Sequence, residues 1–352
     1  MKTTGVSTSS ICNGIEIFTR QINNDIIQLR KEVVTGQHAD VGMQLGSRVS
    51  QFLELNQEKQ RITGMLDSNN LAKIRLSTSQ ASLENIDRVY QSLLENTVIL
   101  HEDSNKFTID RIENLVKDSL RSLTDVSNMK SGSEYLFAGI NTLEKPFQDY
   151  FAKDSPAKKS FDQLLDNFLK DNSKVQQLEV SSMTDHQMSE FIDKLEKAFF
   201  DNDYWMQNWS KASNQNIQHH FNDVESRDIS TNVNMYGIRR LSLFSVIGIE
   251  FLGKDLKPES RSVLNKKMTS ILGKGLEDLN HNRALLGMSE QRIDKEDVFL
   301  QNKKSIMEIC IVKSVGVDHY KTSIKLDDLV NKVDIAYMIT AKMRKLSFLN
   351  YL

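Results

Sequence analysis

The chain has 352 residues, 39% of them hydrophobic and 26% charged, with 45 basic residues against 47 acidic ones and a formal net charge of −2. Such a balanced mixture excludes a nucleic-acid binder that relies on a basic face, and the apolar fraction is too low for a membrane protein. The two cysteines, Cys12 and Cys310, make no disulfide framework and read as buried or idle thiols.

The N-terminal "MKTTGVSTSSICNGIEIF" lacks the basic start and continuous apolar core of a secretory signal, so Sec-type export is not expected. Prolines occur only at 146, 156 and 258, which leaves 1–145 and 259–352 free of the strongest helix breaker. Ile15, Phe18, Ile22, Ile26, Leu29 and Val33 follow one another at steps of three and four, giving one apolar stripe on a first helix. The glycine-rich "GQHADVGMQLG" from Gly36 to Gly46 then marks a loop. Heptad-like spacing resumes with Leu83, Ile86, Tyr90 and Leu93, and again with Ile109, Ile112, Val116, Leu123 and Val126. One continuous helix from about Leu45 to Met129 would be roughly 130 Å long at about 1.5 Å per residue, and would need partner helices along it.

"SGSEYLFAGINTLEKPF", Ser131 to Phe147, ends this pattern. Gly132 and Gly139 permit tight turns, Tyr135, Leu136 and Phe137 pin the exiting chain onto the helices, and Pro146-Phe147 opens the next segment. Residues 141–257 read as a compact mixed domain, with a helix near 160–200 and short strands between 216 and 250. Within it, "LSLFSVIGIEFLG" (Leu241 to Gly253) is too short for a membrane span and is interrupted by Glu250; it reads as a buried strand or short core helix. From Pro258 the chain is helical to about Val315. A last stripe, Val333, Ala336, Ile339, Met343 and Leu346, leads to the apolar ending "LSFLNYL". Chain ends are normally polar, so these termini are expected to be buried, with another subunit as the covering surface. The expected fold is mainly α: a long antiparallel helical bundle of the N- and C-terminal regions, with an inserted mixed α+β domain. The expected segments are 1–40, 41–140, 141–257, 258–318 and 319–352.

No constellation for chemistry emerges. Adjacent His219 and His220 diverge on either a helix or a strand and have no third ligand at suitable spacing. "DSNKFTIDRIEN" from Asp103 has Thr108 and Asn114 where a calcium loop needs glycine and glutamate. "GKGLEDL" lacks the spacing of a phosphate-binding loop, and no serine sits in a nucleophile elbow. Trp205 and Trp209, four apart, read as core residues of the insert. Neither enzyme activity, a cofactor nor a metal is expected.

Long helical ends around a variable middle resemble the layout of the flagellin superfamily. The stretch from Ser131 is similar to the "YLFAG-x-T-x-x-x-PF" signature of its hook–filament junction proteins, at Tyr135, Leu136, Phe137, Ala138, Gly139, Thr142, Pro146 and Phe147. "TGQHADVGMQLG" is similar to the loop after the first helix in α-proteobacterial members, and "NWSKASNQNI", "ALLGMSEQRI" and "LSFLNYL" fit the same family. The serine- and asparagine-rich loop of flagellin proper is absent, and "KSIMEICIVKSVGVDHYKTSIKLDD" is more apolar and less regular than the family's C-terminal helix. The resemblance implies a structural subunit without catalysis. Ile15, Phe18, Ile22, Ile26 and Leu29 would pair with Ile339, Met343, Leu346 and Leu349 inside a tube. Partners would be hook-associated protein 1, flagellin, copies of the chain in a helical ring, and an export chaperone. It would lie outside the cell, exported without a cleaved signal. Two alternatives stand beside this reading, a flagellin-like filament subunit and an unrelated cytoplasmic coiled-coil adaptor.

Overall fold

The structure, a computed structural model, describes residues 8–100, 105–171, 179–222 and 224–349, with the side chains of 8, 9 and 344–349 left out of the description. The chain divides into two compact units, residues 1–64 with 299–352 and residues 65–298, and each is described by itself. Ten helices and two short strand pairs occur among the described residues.

In the first unit, α1 (Thr8–Thr35) lies antiparallel to α10 (His319–Leu349). Ile22 and Ile26 meet Val333, and Leu326, Leu329 and Val330 pack against them. Beyond α1, Asp40 caps the short α2 (Val41–Leu45) by accepting a hydrogen bond from the Met43 amide at 2.9 Å. A single 3-10 turn leads to the start of α3 (Val49–Ile99). Here Leu45 is buried against Ile311 and Val315 at the end of α9 (Pro258–Val315), with Val49, Phe52 and Leu55 around them. The two crossings of the chain are stitched side by side, the His38 amide donating to the Val315 carbonyl and the Val317 amide to the Gly36 carbonyl, both at 3.0 Å.

In the second unit the expected continuous helix is broken. α3 ends at Ile99, and α4 (Lys106–Ser127) returns antiparallel to it, so that Ser82 reaches Met129 and Arg111 reaches Asn96. The reversal uses neither glycine nor proline. Asn105 starts α4 by accepting from the Thr108 amide at 2.8 Å, so the stretch weighed as a calcium loop contains a helix cap. Glu290 meets Gln80, and Asn280 and Arg283 meet Asp87, which sets α9 antiparallel to α3. α9 keeps the bounds read from the absence of proline.

The segment after α4 forms a two-residue hairpin, β1 (Lys130–Ser131) with β2 (Glu134–Tyr135). Then come α5 (Pro156–Asp171), α6 (Asp185–Phe200) and α7 (Asn202–Asn208), two longer helices and a short one where one long helix near 160–200 was expected. Between 216 and 250, strands among the described residues are confined to β3 (Gln218–His220) and β4 (Ser226–Asp228). The strand expectation fails for residues 236–251, which form α8 (Tyr236–Phe251). A continuous apolar run suits a helix enclosed on all sides as well as it suits a buried strand, and here length decides. Twelve of the sixteen residues of α8 are buried. Its Tyr236 end lies so close to α9 that a Cβ on Gly237 would stand 2.9 Å from the Leu279 amide nitrogen. Tyr90 of α3 shares a 2.9 Å hydrogen bond with Ser245 of α8. One core therefore runs without a gap from Leu76, Leu120 and Leu272 through α8 to Phe161, Phe191 and Trp205.

Of the two readings for the cysteines, buried or idle, full burial does not hold for either: both are free thiols, Cys310 exposed and Cys12 half-buried. Among the described residues no helix is long and apolar enough to cross a membrane, and no three His, Cys, Asp or Glu gather where they could hold a metal.

Candidate assembly surface and domain junction

The α1–α10 pair buries little and exposes much. Its interior consists of Ile22, Ile26, Val333 and Ala336, with the small polar Thr19 and Thr322 also buried. Thr19 donates its hydroxyl proton to the Ile15 carbonyl at 2.7 Å, a bond inside its own helix. Outward, Ile17, Phe18 and Ile27 of α1 are 68%, 52% and 65% exposed. On α10, Ile324, Ile335, Tyr337, Met338 and Ile339 are exposed too. Scattered single apolar residues are ordinary, but two paired helices with more apolar side chains outside than inside form a candidate interaction surface.

The residues picked from the sequence divide between these two environments. Ile22 and Ile26 face α10 within the chain, Ile15 and Leu29 are half-buried, and Phe18 is exposed. On the other helix Ile339 is exposed and Met343 half-buried, while the side chains of Leu346 and Leu349 lie outside the described residues. Val333 and Leu326 fill the α10 side of the small core. A heptad count from either helix alone could not tell which of its apolar positions meet the facing helix.

The irregular stretch from Lys304 is resolved the same way. Ile311 and Val315 turn inward to Leu45, while Ile306, Ile309 and Val312, spaced three apart, remain exposed on the opposite side of α9. That second apolar stripe explains why the sequence is unusually apolar there. The nearby pair Glu58–Lys303, at 2.7 Å, ties α3 to α9, and with Arg61 it holds the Glu58 carboxyl down at about 2, Arg61 being the larger cause.

The Ser131–Phe147 motif is a crossing point of three chain segments in the second unit. Leu136, Phe137, Ala138, Gly139, Pro146 and Phe147 are buried and Tyr135 is half-buried. The Tyr135 amide donates to the Thr142 carbonyl at 2.8 Å, and its carbonyl accepts from Arg75 at 3.0 Å. The Phe137 carbonyl accepts from the Val233 amide, and the Ala138 carbonyl from the Ser213 amide, both at 3.0 Å. Gly139 has φ of +62°, and a Cβ there would stand 2.5 Å from the Gln215 carbonyl oxygen and 2.6 Å from that of Ser213. Only glycine fits that crossing. Asn128, at the end of α4, closes the motif: its side-chain oxygen accepts from the Phe147 amide and its Nδ2 donates to the Phe147 carbonyl, both at 3.0 Å. The Phe147 ring then lies against Trp205 and Trp209, which stack with centroids 5.6 Å apart.

Buried among these rings is a cation that sequence reading missed. Arg239 of α8 is 2% exposed and has no ion-paired carboxylate among the described residues. Its Nε donates to the Asn234 carbonyl at 2.8 Å and its NH2 to Asn202 Oδ1 at 2.8 Å, while NH1 reaches the last carbonyls of α6 at Phe199 and Phe200. The guanidinium lies 5.2 Å from the Trp205 ring. Helix-end carbonyls and an aromatic face stand in for a counterion. Burial lowers its proton affinity.

His219 and His220 do not share a ligand. His219 Nε2 lies 2.7 Å from Asn69 Oδ1, and Asn69 Nδ2 donates to Asp297 at 2.7 Å, so this histidine fastens the β3–β4 hairpin to α3 and α9. Burial, with the charge of His220, lowers its pKa.

Family models carry this geometry further. The bacterial flagellin N-terminal helical region matches residues 6–142, and the bacterial flagellin C-terminal helical region matches residues 269–352. Together they span more than half of the chain. It belongs to the flagellin superfamily. The matches take in α1 and α10 and end within the Ser131–Phe147 motif, so the part of this flagellin-family chain outside them begins at that crossing. Among solved structures it is similar to a Vibrio parahaemolyticus chain assigned as a flagellar hook-associated protein, at 9% identity and a TM-score of 0.51, covering 76% of this chain and 97% of that one. At that identity the likeness is one of fold. No match is found among curated proteins. Proteins of this superfamily are structural and self-associate into flagellar polymers.

Proposed function

We propose that this flagellin-family chain is the hook–filament junction subunit, joining the hook to the filament and seeding flagellin polymerisation. The observation that carries an assembly role is the uncovered apolar surface of α1 and α10, where Ile17, Phe18, Ile27, Ile335 and Met338 stand in water around a core of four residues. Neighbouring subunits that bury this surface would supply the stabilisation a two-helix pair lacks by itself. In this reading residues 1–40 and 319–352 form the inner tube, 41–140 and 258–318 the shell, and 141–257 the outward part. Ile15, Phe18, Leu29, Ile339, Met343, Leu346 and Leu349 make the contacts between subunits. Ile22 and Ile26 hold each hairpin together from within. The junction position rests on the match of Tyr135–Gly139, Thr142, Pro146 and Phe147 to the junction signature. Hook-associated protein 1 would then lie on one side and flagellin on the other. An export chaperone would guard the C-terminal helix until secretion through the flagellar type III channel.

The family models support a filament subunit equally, and one experiment separates the two. A strain lacking the gene is examined by electron microscopy, then complemented with the full chain, with Phe18→Asp/Ile339→Asp, and with a chain ending at residue 339. A junction subunit gives hooks without filaments and unpolymerised flagellin in the medium, restored only by the full chain. Hooks that keep normal filaments in the deletion strain would sink the junction role. Purified chain that polymerises alone into long filaments would establish the filament reading. Normal filaments built with the double variant would remove α1 and α10 from the assembly surface.

A further inference from the structure

Strand β4 has an open side. Its partner is β3: the Ile229 amide donates to the Ile217 carbonyl at 2.9 Å, and the register continues through His219 opposite Arg227. Bonding alternates in an antiparallel pair, so Ser226 and Asp228 turn their backbone N–H and C=O away from β3. Among the described residues no backbone group meets them there. Between β4 and α9 runs an open groove of about 490 Å³, lined by all three β4 residues. Leu285 and Met288, 49% and 66% exposed, give it an apolar side from α9.

The groove lining holds three cations, Arg227, Arg292 and Lys295, against one carboxylate, Asp228. Arg227 and Lys295 line it, and neither has an ion-pair partner among the described residues. Arg292 also lines it, held in place by Glu225 and Glu296. The one carboxylate in the lining, Asp228, accepts a hydrogen bond from Asn216 at 3.2 Å. An unpaired strand edge, an apolar side and two cations without ion-pair partners match an extended segment that alternates acidic and apolar side chains.

We infer that this groove docks an extended, acidic–apolar peptide segment of a partner protein, which adds to β4 as a third strand. Its main chain pairs with Ser226 and Asp228, its apolar side chains cover Leu285 and Met288, and its carboxylates meet Arg227 and Lys295. The occupant is taken from another protein: among the described residues, the exposed acidic–apolar pair Leu143-Glu144 is closed into a turn. There the Glu144 amide donates to the Asn141 carbonyl at 3.1 Å, and the basic Lys145 follows.

The test uses the full chain and two fluorescein-labelled peptides, one alternating glutamate with leucine and valine, the other its twin with lysine for glutamate. Fluorescence anisotropy should show salt-sensitive binding of the acidic peptide alone. Arg227→Glu/Lys295→Glu should weaken that binding by about tenfold or more, as charge reversal at a complementary interface does. Ser226→Pro, which keeps the charges and removes a main-chain donor, should weaken it as well. Hydrogen exchange should slow at the Ser226 and Asp228 amides when the peptide binds. Near-UV circular dichroism confirms that each variant is folded. Equal binding of both peptides, no binding, or protection that misses β4 overturns the proposal. So does self-association of the unliganded chain that the charge reversal abolishes, since the groove would then belong to a second copy. Motility of a strain carrying the charge reversal tests the assembly role separately, since those residues lie outside α1 and α10.

Discussion

Gly139→Ala isolates the crowding at the Ser131–Phe147 crossing, because Gly132 provides its control. Both glycines have positive φ, +62° at Gly139 and +63° at Gly132, so alanine at either costs about 1 kcal/mol or slightly more in backbone strain. Around Gly132 nothing lies within 4 Å of the added methyl, whereas at Gly139 the carbonyl oxygens of Gln215 and Ser213 stand at 2.5 and 2.6 Å. Those carbonyls belong to backbone and must recede by close to an ångström. The move pulls on two 3.0 Å bonds, from the Ile140 amide to Gln215 and from the Ser213 amide to Ala138. Each bond is worth about 1 kcal/mol, and a buried carbonyl left unpaired costs about 1–3 kcal/mol more. The expected destabilisation is therefore about 4 kcal/mol for Gly139→Ala and about 1 kcal/mol for Gly132→Ala. Urea unfolding followed by the fluorescence of Trp205 and Trp209, both fully buried nearby, reads the difference directly. Equal midpoints for the two variants would refute the reasoning, since backbone strain alone would then explain both.

Arg239→Met should cost about 3 kcal/mol, because it leaves the α6 carbonyls and the Asn234 carbonyl without their donor; a loss below about 1 kcal/mol in the same urea assay would show that water replaces the guanidinium. Glu58 has its folded pKa depressed, so the stability it adds is present above its ordinary value of 4.5 and is lost as the pH falls through about 2. Since that carboxylate is partly solvent-exposed, the contribution is about 1 kcal/mol or less, and Glu58→Gln should flatten the acid limb of the stability curve by that amount. His219 also has its pKa lowered, so the folded state favours the neutral ring: its contribution is complete above the unfolded value near 6.5 and disappears as the pH drops through the lower folded value. Its imidazole resonances should titrate below the ordinary histidine value, and His220→Gln, which removes the neighbouring charge, should move them back toward it. Ile22→Asp should separate α1 from α10 and abolish their helical protection in hydrogen exchange, whereas Phe18→Asp should leave that protection unchanged. Loss of protection in both would place Phe18 in the intramolecular core.

Much of the fold was legible because proline and periodicity act locally. Pro258 opens α9 and nothing before Val315 breaks it, so its bounds follow from the sequence. The reversal between α3 and α4 escaped because its signals are weak: a polar run and an asparagine cap, with the same apolar spacing on either side. α8 was ambiguous for the opposite reason. Its run is apolar all round, and periodicity disappears when every face is enclosed. The Ser131–Phe147 motif was legible as a break after α4, but its role as a crossing depends on residues 209–215 and 232–233, which no local rule connects to it. The proposed assembly surface was visible in the sequence as a set of apolar stripes. Which of their positions are occupied within the chain was not, because Val333 meets Ile22 only through the pairing of helices from opposite ends of the sequence.

The position of α8 limits how this protein can be rebuilt. Residues 141–257 look like a cassette between two family-matched ends, but exchanging that cassette for another domain would take away a helix that fills the space beside α4 and α9. Leu120, Leu272 and Tyr90 would then face an empty slot, and the recipient would unfold whatever the merits of the guest. A graft that stops at Met235 keeps α8 in place. The replaceable part of the middle is thus shorter than its composition suggests, and its second border is a helix start inside what reads as a single domain.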